Sequence, residues 1–277
     1  MTLAQAFNQF RDNLKVREGL REQVNNRQTR LRNELMARDE VTDVFLSGSW
    51  SRGTRIEPLN DLDLFMVLKK APGTSPQTLE WTRDRLAALY KGTTIRIQAR
   101  SVGIRFQDFS FDVVPATPHA NFPEGGYVIP DGKGEWMRSN PKKHREFTGK
   151  RDQELGSMGI PLVKMFKCWK RAHDLKIKSF HLEVLVLNLA NGKPDSYVEG
   201  ARRIFCALPN QLGVPCWDPA KISRLDEYLD TSERARLQVA ADAAAKMLKE
   251  AIKLDGEKKY PEALALCRQV FGTPFPA

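Results

Sequence analysis

Residues 47–65 read SGSWSRGTRIEPLNDLDLF. A Gly-Ser pair closes one apolar run, a basic stretch follows, and Asp61 and Asp63 then enter a second apolar run. Alternate residues of a strand share a face, so Asp61 and Asp63 point together while Leu62 and Leu64 point the other way. Two like charges on one buried face repel, and leaving them unpaired costs several kcal/mol. The spacing therefore predicts a cation between them. An isolated Asp-x-Asp is otherwise an ordinary exposed strand end, and it is the Gly-Ser upstream that counts against that simpler explanation.

A third carboxylate has the same character. In FSFDVVPA (109–116) Asp112 stands among Phe111, Val113 and Val114, in a run otherwise suited to a core. If this strand neighbours the one carrying Asp61 and Asp63, the three carboxylates converge at one end of a sheet. Mg²⁺ prefers such oxygen ligands, taking one or two carboxylates plus phosphate oxygens. In a two-metal site the ions lie roughly 3.5–4 Å apart, one activating the attacking oxygen and the other supporting the leaving one.

GSWSRGTR has the glycine spacing of a P-loop at Gly48 and Gly53, but Thr54 stands where that motif requires lysine. A P-loop NTPase is thereby disfavoured. A Gly-Ser turn entering a helix still offers backbone N–H groups and a hydroxyl to phosphate, through Gly48 and Ser49.

Outward from this stretch, residues 3–37 carry helical spacing (Leu3, Phe7, Phe10, Leu14, then Leu20, Val24, Leu31, Leu35), predicting one long helix. Strands are expected over 42–47 and 62–68, a turn and the start of a short helix over 49–55, stopped by Pro58, and a helix over 74–91 that opens at TSPQTLE. Strand patterns recur over 94–106 and 109–116 as antiparallel neighbours, and Thr117 to about Pro141 is expected to be an ordered loop. Beyond Gly159 the patterns are helical, over 160–175, 179–192, 195–207, 219–229, 231–254 and 258–270. The expected domains are a long N-terminal helix (1–40), a mixed α/β core (41–158) and a helical domain (159–277).

The 277 residues, 41% hydrophobic and 28% charged, have the composition of a globular protein. The charged N-terminal stretch lacks the apolar centre of a signal peptide, and no apolar run approaches the ~18 residues of a membrane span. A cytoplasmic address and no membrane partner are expected. Lys and Arg outnumber Asp and Glu by 44 to 34, a net charge of +10 that favours polyanionic partners such as nucleic acid or triphosphates. Cys168, Cys206, Cys216 and Cys267 are scattered without a CxxC, as expected of reduced structural thiols and not of a zinc site. None of His119, His144, His173 and His181 is placed as a persuasive base, and His181 is expected to be a satisfied, half-buried residue.

These residues resemble the signature of the DNA polymerase beta-like nucleotidyltransferase superfamily: Gly-Ser, then Asp-hydrophobic-Asp-hydrophobic, then an Asp on a later strand. The positions are Gly48, Ser49, Asp61, Leu62, Asp63, Leu64 and Asp112. FDVVPA, LVKMFKCWKR, KSFHLEVL and YVIPDGKGEWMRSNPKKH narrow the resemblance to the bacterial CD-NTases. These are the DncV-like cyclases of CBASS anti-phage signalling, relatives of cyclic GMP–AMP synthase and 2′-5′ oligoadenylate synthetase. The matches run from about residue 46 to 187.

The resemblance implies an α+β fold, a nucleotidyltransferase core of mixed sheet and helices joined to a helical domain, with the active site in the cleft between them. It implies catalytic and metal-binding roles for Asp61, Asp63 and Asp112, with two Mg²⁺ ions, Mn²⁺ being the alternative. It gives nucleotide-binding roles to Gly48 and Ser49, assigns Lys167 and Ser179 to the donor triphosphate, and stacks Phe180 on a base. Lys164 is the second choice for the phosphate. Each of the later residues also has a structural explanation: Ser179 as a helix cap with Glu183 close by, Phe180 as core, Lys167 on a solvated face.

The implied activity joins ribonucleoside triphosphates, ATP among them, into a cyclic di- or trinucleotide. Implied partners are a downstream effector that the product activates, a peptide-sensing regulatory protein, and an RNA or DNA activator. The absence of a His-Cys-Cys cluster like the zinc insertion of the animal enzyme weakens the case for DNA. Two rival activities share the same residues: linear nucleotidyl transfer to RNA, protein or a small-molecule hydroxyl, and nucleic-acid binding without turnover.

Overall fold

The computed structural model describes residues 1–59, 61–119 and 126–276. They form two compact units, one of Val16–Arg145 and one of Met1–Lys15 with Glu146–Ala277. The divide thus falls at Arg145, earlier than the expected boundary at 158, and the N-terminal segment is shared between the units. The single helix expected over 3–37 is corrected to two, α1 (Leu3–Asn13) and α2 (Glu18–Met36). Their apolar stripes serve different cores. Leu3, Ala6, Phe7 and Phe10 of α1 are buried in the helical unit, whereas Val24, Leu31 and Leu35 of α2 are buried against the sheet.

The sheet unit continues through β1 (Val41–Leu46), α3 (Gly48–Ser51), β2 (Asp61–Leu68), α4 (Ser75–Leu89), β3 (Thr94–Ile97), β4 (Val102–Arg105), β5 (Ser110–Pro118), β6 (Tyr127–Pro130) and β7 (Trp136–Ser139). The main path runs β1-β2-β5-β4-β3, with β2 and β5 parallel and the other pairs antiparallel. Thr74 opens α4 with the capping box expected from its sequence, its hydroxyl meeting Gln77 N–H while the Gln77 side chain returns to the Thr74 backbone.

Strand alternation sorts the side chains. Leu62, Leu64, Met66, Val102, Ile104, Phe111 and Val113 form the main core with α2 and with Leu79 and Leu86 of α4. The opposite face carries Asp61, Asp63 and Asp112 at one end. At the other end lies a smaller apolar cluster of Phe65, Val67, Val114, Ala116, Tyr127 and Ile129. That cluster exists because 117–141 is not the loop expected: β6 and β7 form a hairpin whose first strand pairs with the end of β5. Residues 120–125 of that stretch lie outside the described residues.

α5 (Pro141–Glu154) follows, then α6 (Gly159–Ala172), α7 (Ser179–Leu189), α8 (Tyr197–Gln211), α9 (Thr231–Gly256) and α10 (Tyr260–Phe271). α5 was not expected, since its sequence PKKHREFTGKRDQE has no apolar stripe. Its start is nevertheless marked, because Asn140 Oδ1 accepts from the Lys143 N–H at 3.0 Å and Pro141 needs no partner for a missing N–H. The core of the helical unit is aromatic. Phe7 and Phe10 meet Phe271 at 5.6 and 5.3 Å between ring centroids, and Phe166 lies tilted against Phe205 at 4.4 Å.

The helix expected over 219–229 is absent. Buried Asp226 organises that stretch instead, accepting from the Cys216 N–H at 3.0 Å and pairing with Arg224 and Arg234 at 2.7 and 3.2 Å. The two cations and the backbone donor hold its carboxyl well below the usual range. Among the described residues no helix is long and apolar enough to cross a membrane, and all four cysteines are free.

Candidate active site

The parallel pairing of β2 with β5 sets Asp61 opposite Ser110 and Asp63 opposite Asp112. The two strands are neighbours, the condition on which the three carboxylates were expected to converge, and this register puts Asp61, Asp63 and Asp112 on one face. Asp61 is exposed, while Asp63 and Asp112 are half-buried.

β4 continues the row, placing Gly103 opposite Asp112. A Cβ on Gly103 would lie 2.6 Å from Gln98 Nε2 and 3.4 Å from Asp112 Oδ1. The bare glycine leaves that space to Gln98, whose Nε2 donates to Asp112 Oδ1 at 2.9 Å while its Oε1 accepts from Ser101 Oγ at 3.1 Å. Gln98, Ser101 and Gly103 were not anticipated. The one available signal was a glycine inside the strand pattern SVGIRF, which marks a close approach without saying of what.

On the other side of β2, Ser47 N–H donates to the Asp63 carbonyl at 2.8 Å, extending the β1–β2 ladder to the turn. Gly48 then takes a φ of 60°, and a Cβ built on it would sit 1.7 Å from Asp63 Oδ2. Glycine is thus required both by the left-handed backbone and by the carboxylate packed against it. Ser49 follows in the short α3. Gly48→Ala is expected to lower catalytic turnover by about a hundredfold through displacement of Asp63, more than its backbone strain of ~1–2 kcal/mol would suggest. Initial rates set beside a thermal melt check this; a variant with a lowered melting temperature but full turnover would remove Gly48 from the site.

Burial, the largest cause, raises the Asp63 carboxyl; Asp61 adds to this and the Arg52 charge opposes it. Asp112 is pushed up to about 6, first by burial and then by the charges of Asp61 and Asp63, against the Gln98 hydrogen bond. Among the described residues no three His, Cys, Asp or Glu side chains are gathered closely enough to hold an ion. The donor chemistry nonetheless fits a hard divalent cation: the donors are all oxygen, they lie in adjacent rows of one face, and the Asp61 charge raises both Asp63 and Asp112. A cation reverses that repulsion.

The remaining expected residues lie in the helical unit. Lys167 is not a solvated side chain but buried, 7% exposed, with its Nζ 2.7 Å from Oε1 of Glu183, itself 1% exposed. This corrects two expectations: Lys167 does not lie on a solvated face, and Ser179 is the first residue of α7, after Lys178 in the cap position. The cation beside Ser179 is Lys170, whose Nζ donates to Ser179 Oγ at 3.2 Å. Lys170 is half-buried, and burial followed by the Lys167 charge lowers its pKa. Phe180 is half-buried, and Lys164 Nζ reaches the Leu14 carbonyl at 3.4 Å. His181 is buried, its Nδ1 lies 3.2 Å from Tyr228 Oη, and burial pushes it down to about 4.

Residues 1–151 match the family model described as Second Messenger Oligonucleotide or Dinucleotide Synthetase domain, more than half of the chain. The chain belongs to this family. It is a bacterial CD-NTase, and its fold is the polymerase beta-like one. A cyclic AMP-AMP-AMP synthase of Acinetobacter sp. is 30% identical over 280 residues, spanning 89% of this chain and 77% of the relative. A probable cyclic nucleotide synthase of Bacillus cereus is 25% identical over 268 residues, spanning 83% and 81%. Among solved structures, E. coli MS115-1 CdnC with ATP superposes with a TM-score of 0.85 over 99% of both chains at 18% identity. Vibrio cholerae DncV with the linear intermediate 5′ pppA(3′,5′)pG gives 0.67 over 84% of this chain and 69% of that one, also at 18% identity. These structural likenesses establish the fold, and the family membership rests on the sequence matches.

Proposed function

We propose that this CD-NTase condenses ribonucleoside triphosphates, ATP among them, into a cyclic di- or trinucleotide, with release of pyrophosphate. The observation that carries the proposal is the register that sets Asp63 beside Asp112 on one face, with Gly48 packed on Asp63. A protein that only bound nucleic acid would have no need to hold carboxylates in mutual repulsion. The relatives named as cyclic nucleotide synthases support cyclisation over linear transfer.

Asp61, Asp63 and Asp112 would hold two Mg²⁺ ions, or Mn²⁺, which when bound lower the pKa of the attacking hydroxyl and neutralise the departing pyrophosphate. In each condensation a ribose hydroxyl oxygen bonds to the α-phosphorus as the bond to the β-phosphate oxygen breaks. Asp112, with its raised pKa, is suited to accept the hydroxyl proton, and Gln98 holds its carboxylate in orientation. Gly48 and Ser49 bind the donor phosphates from the turn. In the helical unit Ser179, with Lys170 hydrogen-bonded to it, is assigned to phosphate and Phe180 to a base, with Lys167 supporting α7 through its pair with Glu183. Catalysis comes mainly from positioning and charge neutralisation.

The same proposal places the protein in the cytoplasm, consistent with four free cysteines, and in anti-phage signalling with an effector that the product activates. A peptide-sensing regulator is part of the proposal, and E. coli CdnC has been solved in complex with HORMA-deltaN. An RNA or DNA activator is compatible with the net charge of +10. The test is purified protein with all four ribonucleoside triphosphates and Mg²⁺, the products treated with phosphatase and weighed by mass spectrometry. A phosphatase-resistant mass of two or three nucleotide units is expected. Products that are only linear or acceptor-linked would replace the cyclase with a linear transferase.

A further inference from the structure

The carboxylate face of the sheet does not end at Asp112. The pairings β2–β5, β5–β4 and β4–β3 align Asp61, Ser110, Arg105 and Thr94 in one row, and Asp63, Asp112, Gly103 and Arg96 in the next. Residues in register share a face, so Arg105 and Arg96 project from the surface that carries the carboxylates, on the flank opposite Gly48 and Ser49. Both arginine side chains are exposed, and among the described residues neither side chain forms an ion pair or hydrogen bond. A cavity of about 260 Å³ opens between Asp61 and Arg105, lined also by Ser110, Leu59, Phe106 and Phe109. The other carboxylate in its wall, Asp108, is paired with Arg27 at 3.4 Å, which leaves Arg105 as the uncompensated cation there.

Adjacent strands lie about 4.8 Å apart, so the Arg105 backbone is roughly two such spacings from that of Asp61. An extended arginine covers much of this gap, and its planar fork suits phosphate oxygens. The donor triphosphate is assigned to the Gly48–Ser49 flank of β2. The acceptor nucleotide must then approach from the Asp112 flank, where its hydroxyl meets the base, and it carries a polyphosphate of its own. We infer that Arg105, with Arg96 behind it, forms the anion site for the 5′-polyphosphate of the acceptor nucleotide. This inference rests on the nucleotidyl-transfer activity proposed above and adds the residues that make the enzyme prefer a triphosphorylated acceptor.

The test is a competition in one vessel, with ATP as donor and equal concentrations of ATP and adenosine as acceptors, the products resolved by mass. Another triphosphate and its nucleoside replace these if the product assay identifies a different base. Wild type is expected to favour the triphosphorylated acceptor. Arg105→Ala should lower the ratio of ATP-accepted to adenosine-accepted product by about tenfold to a hundredfold, the scale of one lost charge-assisted hydrogen bond. Arg105→Lys should retain part of the preference, and Arg105→Ala with Arg96→Ala should lose nearly all of it. Adenosine-linked product from the variants shows that they are folded. An unchanged ratio in the double variant, with active wild type, overturns the acceptor site alone. No transfer product from wild type overturns the parent activity and the site with it.

Discussion

Asp112→Asn is expected to slow nucleotidyl transfer by about 10³-fold or more while leaving the protein folded. The amide is nearly isosteric and keeps an oxygen for Gln98 to bond, so neither β5 nor its register has cause to move. Under the proposed mechanism, what is lost is the negative charge that would complete the acceptor side of the cation site and the oxygen that would take the hydroxyl proton. In metal-free protein the same change should leave the melting temperature unchanged or raise it, because it removes a charge that burial, Asp61 and Asp63 all disfavour.

The pH dependence follows from the same shift. A carboxyl raised to about 6 in the folded protein favours folding while it is protonated, below the unfolded value of 3.8. That contribution is lost as pH climbs through about 6. Metal-free wild type should therefore shed part of its stability between about pH 4 and pH 6, and Asp112→Asn should show a shallower loss over that window. Melting curves across pH with chelator present, read beside initial rates with Mg²⁺, check both halves. Full turnover by the amide variant would remove Asp112 from the catalytic set.

The second large effect concerns stability. Glu183→Ala removes the carboxylate from a pair in which both partners are buried and leaves the Lys167 ammonium desolvated at the α6–α7 contact. Breaking such a pair costs on the order of 3–5 kcal/mol, because the surviving charge keeps its desolvation penalty and loses its Coulomb partner. For a chain of this size about 3 kcal/mol corresponds to a fall in melting temperature of roughly 10 °C. Replacing both partners by apolar residues, Lys167→Met with Glu183→Leu, should restore much of the loss. Urea or thermal unfolding of the two single variants and the double variant measures this. A Glu183→Ala variant within about 1 kcal/mol of wild type would show that Lys167 does not depend on the pair.

The expectations that failed share a cause. α5 lacks an apolar stripe, so periodicity had nothing to detect, and its start is signalled only by Asn140 and Pro141. The stretch over 219–229 is patterned like a helix, yet Asp226 draws the Cys216 N–H and two arginines into a non-helical arrangement. The apolar spacing of 3–37 is helical throughout, and the break between α1 and α2 shows only once each half is seen to have its own core. Lys167 reads as a surface lysine until Glu183 is found against it.

By itself the sequence determined what depends on near neighbours. Strand alternation puts Asp61 and Asp63 on one face, Gly48 marks a turn that only glycine tolerates, and the Thr74 and Gln77 pair opens a helix, because backbone geometry and local hydrogen bonding act over a few residues. Tertiary structure alone decided which distant residues meet. The parallel register that sets Asp112 beside Asp63, the Gly103 gap that admits Gln98, the Lys167–Glu183 pair and the row that carries Arg105 toward Asp61 all come from strand pairing and burial between segments far apart in the chain. Pairing is selected by the apolar face each strand buries, and that choice is made by the whole core at once.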